Sequence, residues 1–226
     1  MGSILSILGW HSIDSETEKL LSENSRLVMV YPHTSHFDFF LYLLYRSTSP
    51  QLTAKCKLLI NPYWMERLGP ILETFGAIRS TRREDSGGGA VERVIRNLKN
   101  KEFIFLISPK GARDRHSWRS GYYRIAQETN AKIVCAGFNY HQHRFVMGTP
   151  FEIGNMTLEE VEMKCKREMC SMTPLHLHFA EYPLDAQQLG LETSFVDSQD
   201  ASLIFAFVIS ALSLLLLLLM SLIKTR

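Results

Sequence analysis

The sequence predicts an α/β domain, a mainly parallel mixed sheet flanked by helices, followed by one C-terminal transmembrane helix. Three observations carry that reading. Short β-prone apolar runs alternate with stretches of helical periodicity, the order that builds parallel sheets through helical crossovers. The main runs are nearly unbroken in apolar residues, as strands covered on both faces are. Residues 203–223 form a much longer apolar run, of membrane-spanning length.

The elements follow in order. Residues 1–24 read as an N-terminal membrane-associated segment. Ile4, Leu5, Ile7, Leu8 and Trp10 are suited to dip into a headgroup region, and Met-Gly-x-x-x-Ser matches the myristoylation pattern at Gly2. The stretch lacks the basic start and long apolar core of a secretory signal. A helix is expected over 15–24. Residues 25–190 read as the globular domain. Its strands are expected at 27–31, 74–78, 103–107 and 132–138, with further ones at 142–148 and 175–182. Its helices are expected at 36–47, 89–99, 119–129 and 157–169. Pro32 stops the first strand, because proline cannot donate to a ladder. Ser86-Gly87-Gly88-Gly89 is a loop before a helix; without a following Gly-Lys-Ser/Thr it is not a P-loop. Residues 191–202 form a linker.

The terminal run, Leu203 to Ile223, is apolar apart from Ser210, Ser213 and Ser221. As a helix it spans about 31 Å, matching a hydrocarbon core of about 30 Å. The basic residues behind it, Lys224 and Arg226, would by themselves favour a cytoplasmic C-terminus. With only three residues after the span, insertion as a tail anchor is the expectation, with the domain on the cytoplasmic face and the C-terminus across the bilayer.

Composition narrows the function. The 226 residues carry a net charge of +2, so no global field points to nucleic acid. Four scattered cysteines make no disulfide framework and suit a reducing compartment. Cys165 and Cys170 followed by His176 and His178 fall within structural-zinc spacings, but the two histidines alternate along an expected strand. No metal is expected there, nor any bound cofactor.

The chemistry concentrates in His33-Thr34-Ser35-His36-Phe37-Asp38. On one ideal helix, positions 33 and 38 would point about 140° apart. They can meet only if His33 sits in the turn ahead of the helix that bears Asp38. An imidazole braced by a carboxylate removes a proton from a hydroxyl, the carboxylate fixing the tautomer and offsetting the imidazolium charge. A surface histidine beside a helix cap would show the same residues. His36 is a secondary candidate base, more suited to shaping the site.

These residues resemble the first motif, His-x4-Asp, of the lysophosphatidate and glycerol-3-phosphate acyltransferase family, in its compact bacterial-like branch. Three later segments extend the resemblance. Phe75-Gly76-Ala77-Ile78-Arg79-Ser80-Thr81-Arg82 is similar to the family's Gly-x-Ile-x-x-x-Arg segment. Ser108-Pro109-Lys110-Gly111-Ala112-Arg113 is similar to its Pro-Glu-Gly-Thr-Arg motif, and Trp118 to Ala126 to the Trp-Lys-x-Gly-Phe stretch after it. The likeness covers roughly residues 27 to 152. It implies a glycerol-3-phosphate acyltransferase-like fold, His33 as base and Asp38 as its orienting acid. It further implies that Arg79 or Arg82 holds an acceptor phosphate through a guanidinium fork, with Lys110, Gly111 and Arg113 also at the substrate. Trp118, Tyr122 and Tyr123 read as helix packing rather than an acyl tunnel. Two positions depart from the family: Lys110 stands where it has glutamate and Ala112 where it has threonine. Charge reversal there implies a different acceptor, or altered or lost activity.

The expected reaction is transfer of a fatty acyl group from acyl-CoA, or another thioester, to the hydroxyl of a lysophospholipid or glycerol phosphate at a lipid bilayer, the endoplasmic reticulum in a eukaryote. An acyl-thioester hydrolase and a catalytically impaired lipid-binding or scaffold protein are the alternatives. Nucleic-acid binding through the basic clusters is the remotest.

Overall fold

The structure is a computed structural model describing residues 4–32, 37–60, 62–79, 89–111 and 117–169. In chain order its elements are α1 (Ile4–Ile7), α2 (Ser15–Glu23), β1 (Arg26–Val30), α3 (Phe37–Thr48), α4 (Pro50–Lys55), β2 (Cys56–Ile60) and α5 (Pro62–Thr74). There follow β3 (Ala77–Arg79), α6 (Ala90–Leu98), β4 (Phe103–Ile107), α7 (Gly121–Thr129), β5 (Lys132–Asn139), β6 (Arg144–Met147) and α8 (Leu158–Met169).

Six strands form one mixed sheet in the order β3-β2-β4-β1-β5-β6. Every pairing is parallel except the β5–β6 hairpin. Apolar side chains on both faces of the central strands are shielded by helices, which explains their unbroken character: Leu27, Val28, Val30, Phe103, Ile104, Phe105, Ile133 and Val134 are fully buried. One core cluster joins Leu5, Trp10, Leu41, Tyr45, Leu52, Cys56, Ile104 and Val134 from helices and strands alike. The thiols of Cys56, Cys135 and Cys165 are free and buried.

Local signals set several helix starts. Asp14 accepts a 2.7 Å bond from the Thr17 amide, which holds its carboxyl below the usual range. Ser49 accepts from the Leu52 amide with Pro50 at the first helical position. Thr157 and Glu160 form a reciprocal capping box ahead of α8.

The strands expected at 27–31, 103–107, 132–138 and 142–148 are β1, β4, β5 and β6, and the five expected helices are α2, α3, α6, α7 and α8. The strand expected at 74–78 is displaced to Ala77–Arg79, because the helix before it persists through Thr74 and Gly76 then turns the chain. Two helices and a strand between residues 50 and 74 were not anticipated. Pro70 lies inside α5, where composition argues against a helix. β2 carries Lys57 within a run of five residues, too little pattern to read unaided. The expected strand at 175–182 lies outside the described residues.

Leu5 and Trp10, expected at a membrane surface, are instead buried in the core, with Leu8 packed against it; Ile7 is exposed. No helix among the described residues is long and apolar enough to cross a membrane; the apolar run 203–223 lies outside them.

Gly76 has φ of +80°, and a Cβ there would overlap the Cys56 carbonyl in the neighbouring strand. Gly76→Ala is therefore expected to cost at least about 1–3 kcal/mol, from left-handed strain alone before the overlap is relieved. Urea unfolding of the variant checks this, and a midpoint unchanged from wild type would refute it.

Candidate active site

Five parallel strands end at one edge of the sheet, and the loops leaving those ends are where an open α/β sheet places its ligands. Val30 pairs with both Ile107 and Cys135, Leu58 with Leu106, and Ile60 with Arg79, so β1 and β4 end level and β2 and β3 end within one residue of them. The motifs picked out by sequence leave from this edge. β1 leads through Pro32 toward residues 33–36, which carry His33 and His36 and lie outside the described residues. β4 leads to Ser108-Pro109-Lys110-Gly111, and β3 ends on Arg79.

Asp38 lies in the first turn of α3 and is 3% exposed. A buried carboxylate requires partners. The Tyr140 hydroxyl donates to its Oδ1 at 2.5 Å. Tyr140 reaches it because β5 runs four residues beyond its pairing with Val30 before the chain turns. The phenol is itself wedged: its ring meets Trp10 edge-on, with centroids 5.3 Å apart, and lies 6.5 Å from Phe37 and 6.4 Å from Phe138. Sequence reasoning missed Tyr140, which lies 102 positions from its carboxylate. The available signal was its place just past the strand that topology sets beside β1.

Gly111 has φ of +69° and its amide donates to the Ser108 carbonyl, closing a tight turn after β4. A Cβ there would meet only Arg119 Nη1, at 4.0 Å, so backbone conformation rather than crowding favours glycine. Lys110 is half-buried in the same turn. Arg79 is about half exposed and donates to Glu66 at 3.0 Å, an ion pair worth little to stability at such exposure. It lines a cavity of about 350 Å³ together with Arg93, Asn97 and Glu73. His33, His36, Arg82 and Arg113 lie outside the described residues, as do Cys170, His176 and His178. Trp118 and Tyr122 stack edge to face at 5.6 Å, and Tyr123 donates to the Met156 carbonyl ahead of α8; these aromatics pack α7.

Beyond α3, Arg46 is buried and donates to the carbonyls of Leu52, Thr53 and Cys56, closing the end of α4. Its guanidinium is thereby committed to structure. Burial pushes the Cys56 thiol up to about 11, against the pull of Tyr42 and Arg46, so it is a poor nucleophile.

A family model described as Acyltransferase matches residues 12–139, a span running from α2 through β5. The chain belongs to the acyltransferase family. The match contains His33, Asp38, Arg79, Arg82, Lys110, Gly111 and Arg113 and stops one residue short of Tyr140. A comparison with curated protein sequences finds no match. Among solved structures, the chain is similar to the 1-acyl-sn-glycerophosphate acyltransferase PlsC from Thermotoga maritima. The TM-score is 0.54 at 14% identity, over 84% of this chain and 76% of that one. At that identity the likeness shows a shared fold: a mixed sheet flanked by helices.

Proposed function

We propose that this chain is a membrane-anchored O-acyltransferase that moves a fatty acyl group from acyl-CoA to a hydroxyl of a lysophospholipid or glycerol phosphate. The observation that carries the reading is the buried Asp38, held by Tyr140 at the sheet edge where β1 ends just ahead of His33 in the chain and from which the Lys110 turn leaves. In this reading the His33 imidazole takes the proton of the acceptor hydroxyl as its oxygen attacks the thioester carbonyl. Asp38 fixes the imidazole tautomer and offsets the charge it gains. The tetrahedral intermediate collapses, the carbon–sulfur bond breaks, and the departing thiolate receives the proton from the imidazolium. An ester and free thiol result, and the base is restored without covalent enzyme intermediate, metal or bound cofactor. Arg79, Arg82 and Arg113 are proposed to hold acceptor phosphate. The run 203–223 is proposed as the anchor that keeps the domain at the cytoplasmic face, where both acyl-bearing molecules reside.

Lys110 bears on the acceptor. A cation in place of the family's glutamate favours an anionic head group, and one close charge pair near a protein surface is worth a few kcal/mol before screening. With labelled acyl-CoA and a panel of lysolipids in vesicles, wild type is expected to make labelled phospholipid. Lys110→Glu is expected to lower the preference for lysophosphatidate over lysophosphatidylcholine, measured as a ratio of kcat/KM, by about tenfold. An unchanged ratio would remove Lys110 from the acceptor site. Free fatty acid as the sole product would replace acyl transfer by thioester hydrolysis.

A further inference from the structure

We propose that Tyr140 is a positioning residue for Asp38, the acid that the acyl-transfer reading pairs with His33, fixing its carboxylate through one oxygen. The inference rests on the acyl-transfer reading and adds to it a residue beyond the family match. Asp38 Oδ1 takes the Tyr140 proton at 2.5 Å in a buried setting, where a charge-assisted bond of this kind is strong and directional. The carboxylate could otherwise rotate, and a rotated acid would no longer fix the imidazole.

The phenol is fixed in turn. Trp10 closes over its ring edge-on, and Trp10 is itself set by Tyr45, Phe138 and His143, at 6.3, 6.1 and 5.4 Å between centroids. The His11 amide donates to the His143 carbonyl, tying the N-terminal segment to the turn after β5. A chain of contacts thus runs from the N-terminal segment through Trp10 and Tyr140 to the acid.

Tyr42 lies one turn along α3, and burial drives its phenol well above the usual value, so it stays protonated. Arg46 touches the Tyr42 hydroxyl but is committed to the α4 carbonyls. His143 lies against Trp10. His33 and His36 are the titratable groups of residues 33–36, ahead of α3 in the chain.

Tyr140→Phe keeps the ring and its packing and removes only the hydroxyl. It is expected to lower kcat about 10- to 100-fold, the size of one hydrogen bond to a charged group, with KM within about twofold. The acid limb of the pH profile should move to higher pH, because a carboxylate relieved of the phenol proton stabilises the imidazolium more. A second readout is independent of turnover: the His33 titration, followed by NMR in full-length protein and assigned with a His33→Gln variant, should shift in the same direction. Trp10→Phe is expected to fall between wild type and Tyr140→Phe in both measurements. Wild-type kcat and an unmoved His33 titration in Tyr140→Phe overturn the proposal, as does lost activity with neither the limb nor the titration displaced. A wild type that transfers no acyl group, with the His33 titration still displaced by Tyr140→Phe, sinks the enzymatic reading and leaves the coupling standing.

Discussion

Asp38→Asn is expected to lower kcat by about 10²- to 10⁴-fold, the range that general base catalysis contributes. The substitution is nearly isosteric, so the buried site in the first turn of α3 stays filled. What changes is hydrogen-bonding character. A carboxylate only accepts: it takes the Tyr140 hydroxyl on one oxygen and, in the proposed mechanism, the His33 imidazole N–H on the other. An amide presents one oxygen and one NH₂ group, so it can serve one of those donors but must oppose the other. If the amide oxygen stays with Tyr140, its NH₂ favours the wrong His33 tautomer and the nitrogen that should take the substrate proton is already protonated. Loss of the negative charge also leaves the transient imidazolium uncompensated. Because both effects act on the transition state, the loss should fall in kcat, with KM little changed. Labelled acyl-CoA turnover checks the prediction, alongside urea unfolding to show that the variant is folded. A folded Asp38→Asn protein with wild-type kcat would remove Asp38 from the chemistry.

The largest stability loss is expected at Tyr45. Its ring is 1% exposed and packs against Trp10, Phe138 and Phe145, with centroids 6.3, 5.6 and 5.7 Å away. Its hydroxyl donates to the His11 carbonyl at 2.6 Å and accepts from the Phe145 amide at 3.1 Å. One side chain therefore joins α3, the N-terminal segment and the β5–β6 hairpin. Tyr45→Ala is expected to cost about 3–5 kcal/mol, the usual range for emptying a large aromatic site. Tyr45→Phe keeps the packing but orphans a carbonyl and an amide, at about 1–3 kcal/mol. With a urea m-value of about 1–3 kcal/mol per molar, the alanine midpoint should drop by at least 1 M. Two variants of equal stability would show that the hydroxyl, rather than the ring, carries the effect; an alanine variant within 1 kcal/mol of wild type would contradict the packing argument.

The division between what was legible and what was hidden follows the range of the forces. Runs such as Leu27–Val30 and Phe103–Ile107 announce buried parallel strands because burial on both faces leaves no place for polar residues. Helices with a cap and a stripe, such as α2 and α8, are equally plain. The stretch from 50 to 74 was not legible. There a proline lies within a helix and a short strand holds a lysine, and the sheet neighbours rather than local preference select the conformation. The apolar N-terminus shows the limit of composition. Leu5 and Trp10 suit a headgroup region and a protein core equally well, and packing against α3 and the β5–β6 hairpin places them in the core.

At the site, chain order alone showed a histidine five positions ahead of an aspartate where a strand gives way to a helix, and a lysine and a glycine after a later strand. Those relations are local, within reach of spacing and turn chemistry. Tertiary structure decided that the strand ends share one edge, that Asp38 is buried, and that Tyr140 donates to it. The reason is physical: a parallel sheet juxtaposes strands that are remote in sequence, and a hydrogen bond across 102 positions leaves no periodic or compositional trace.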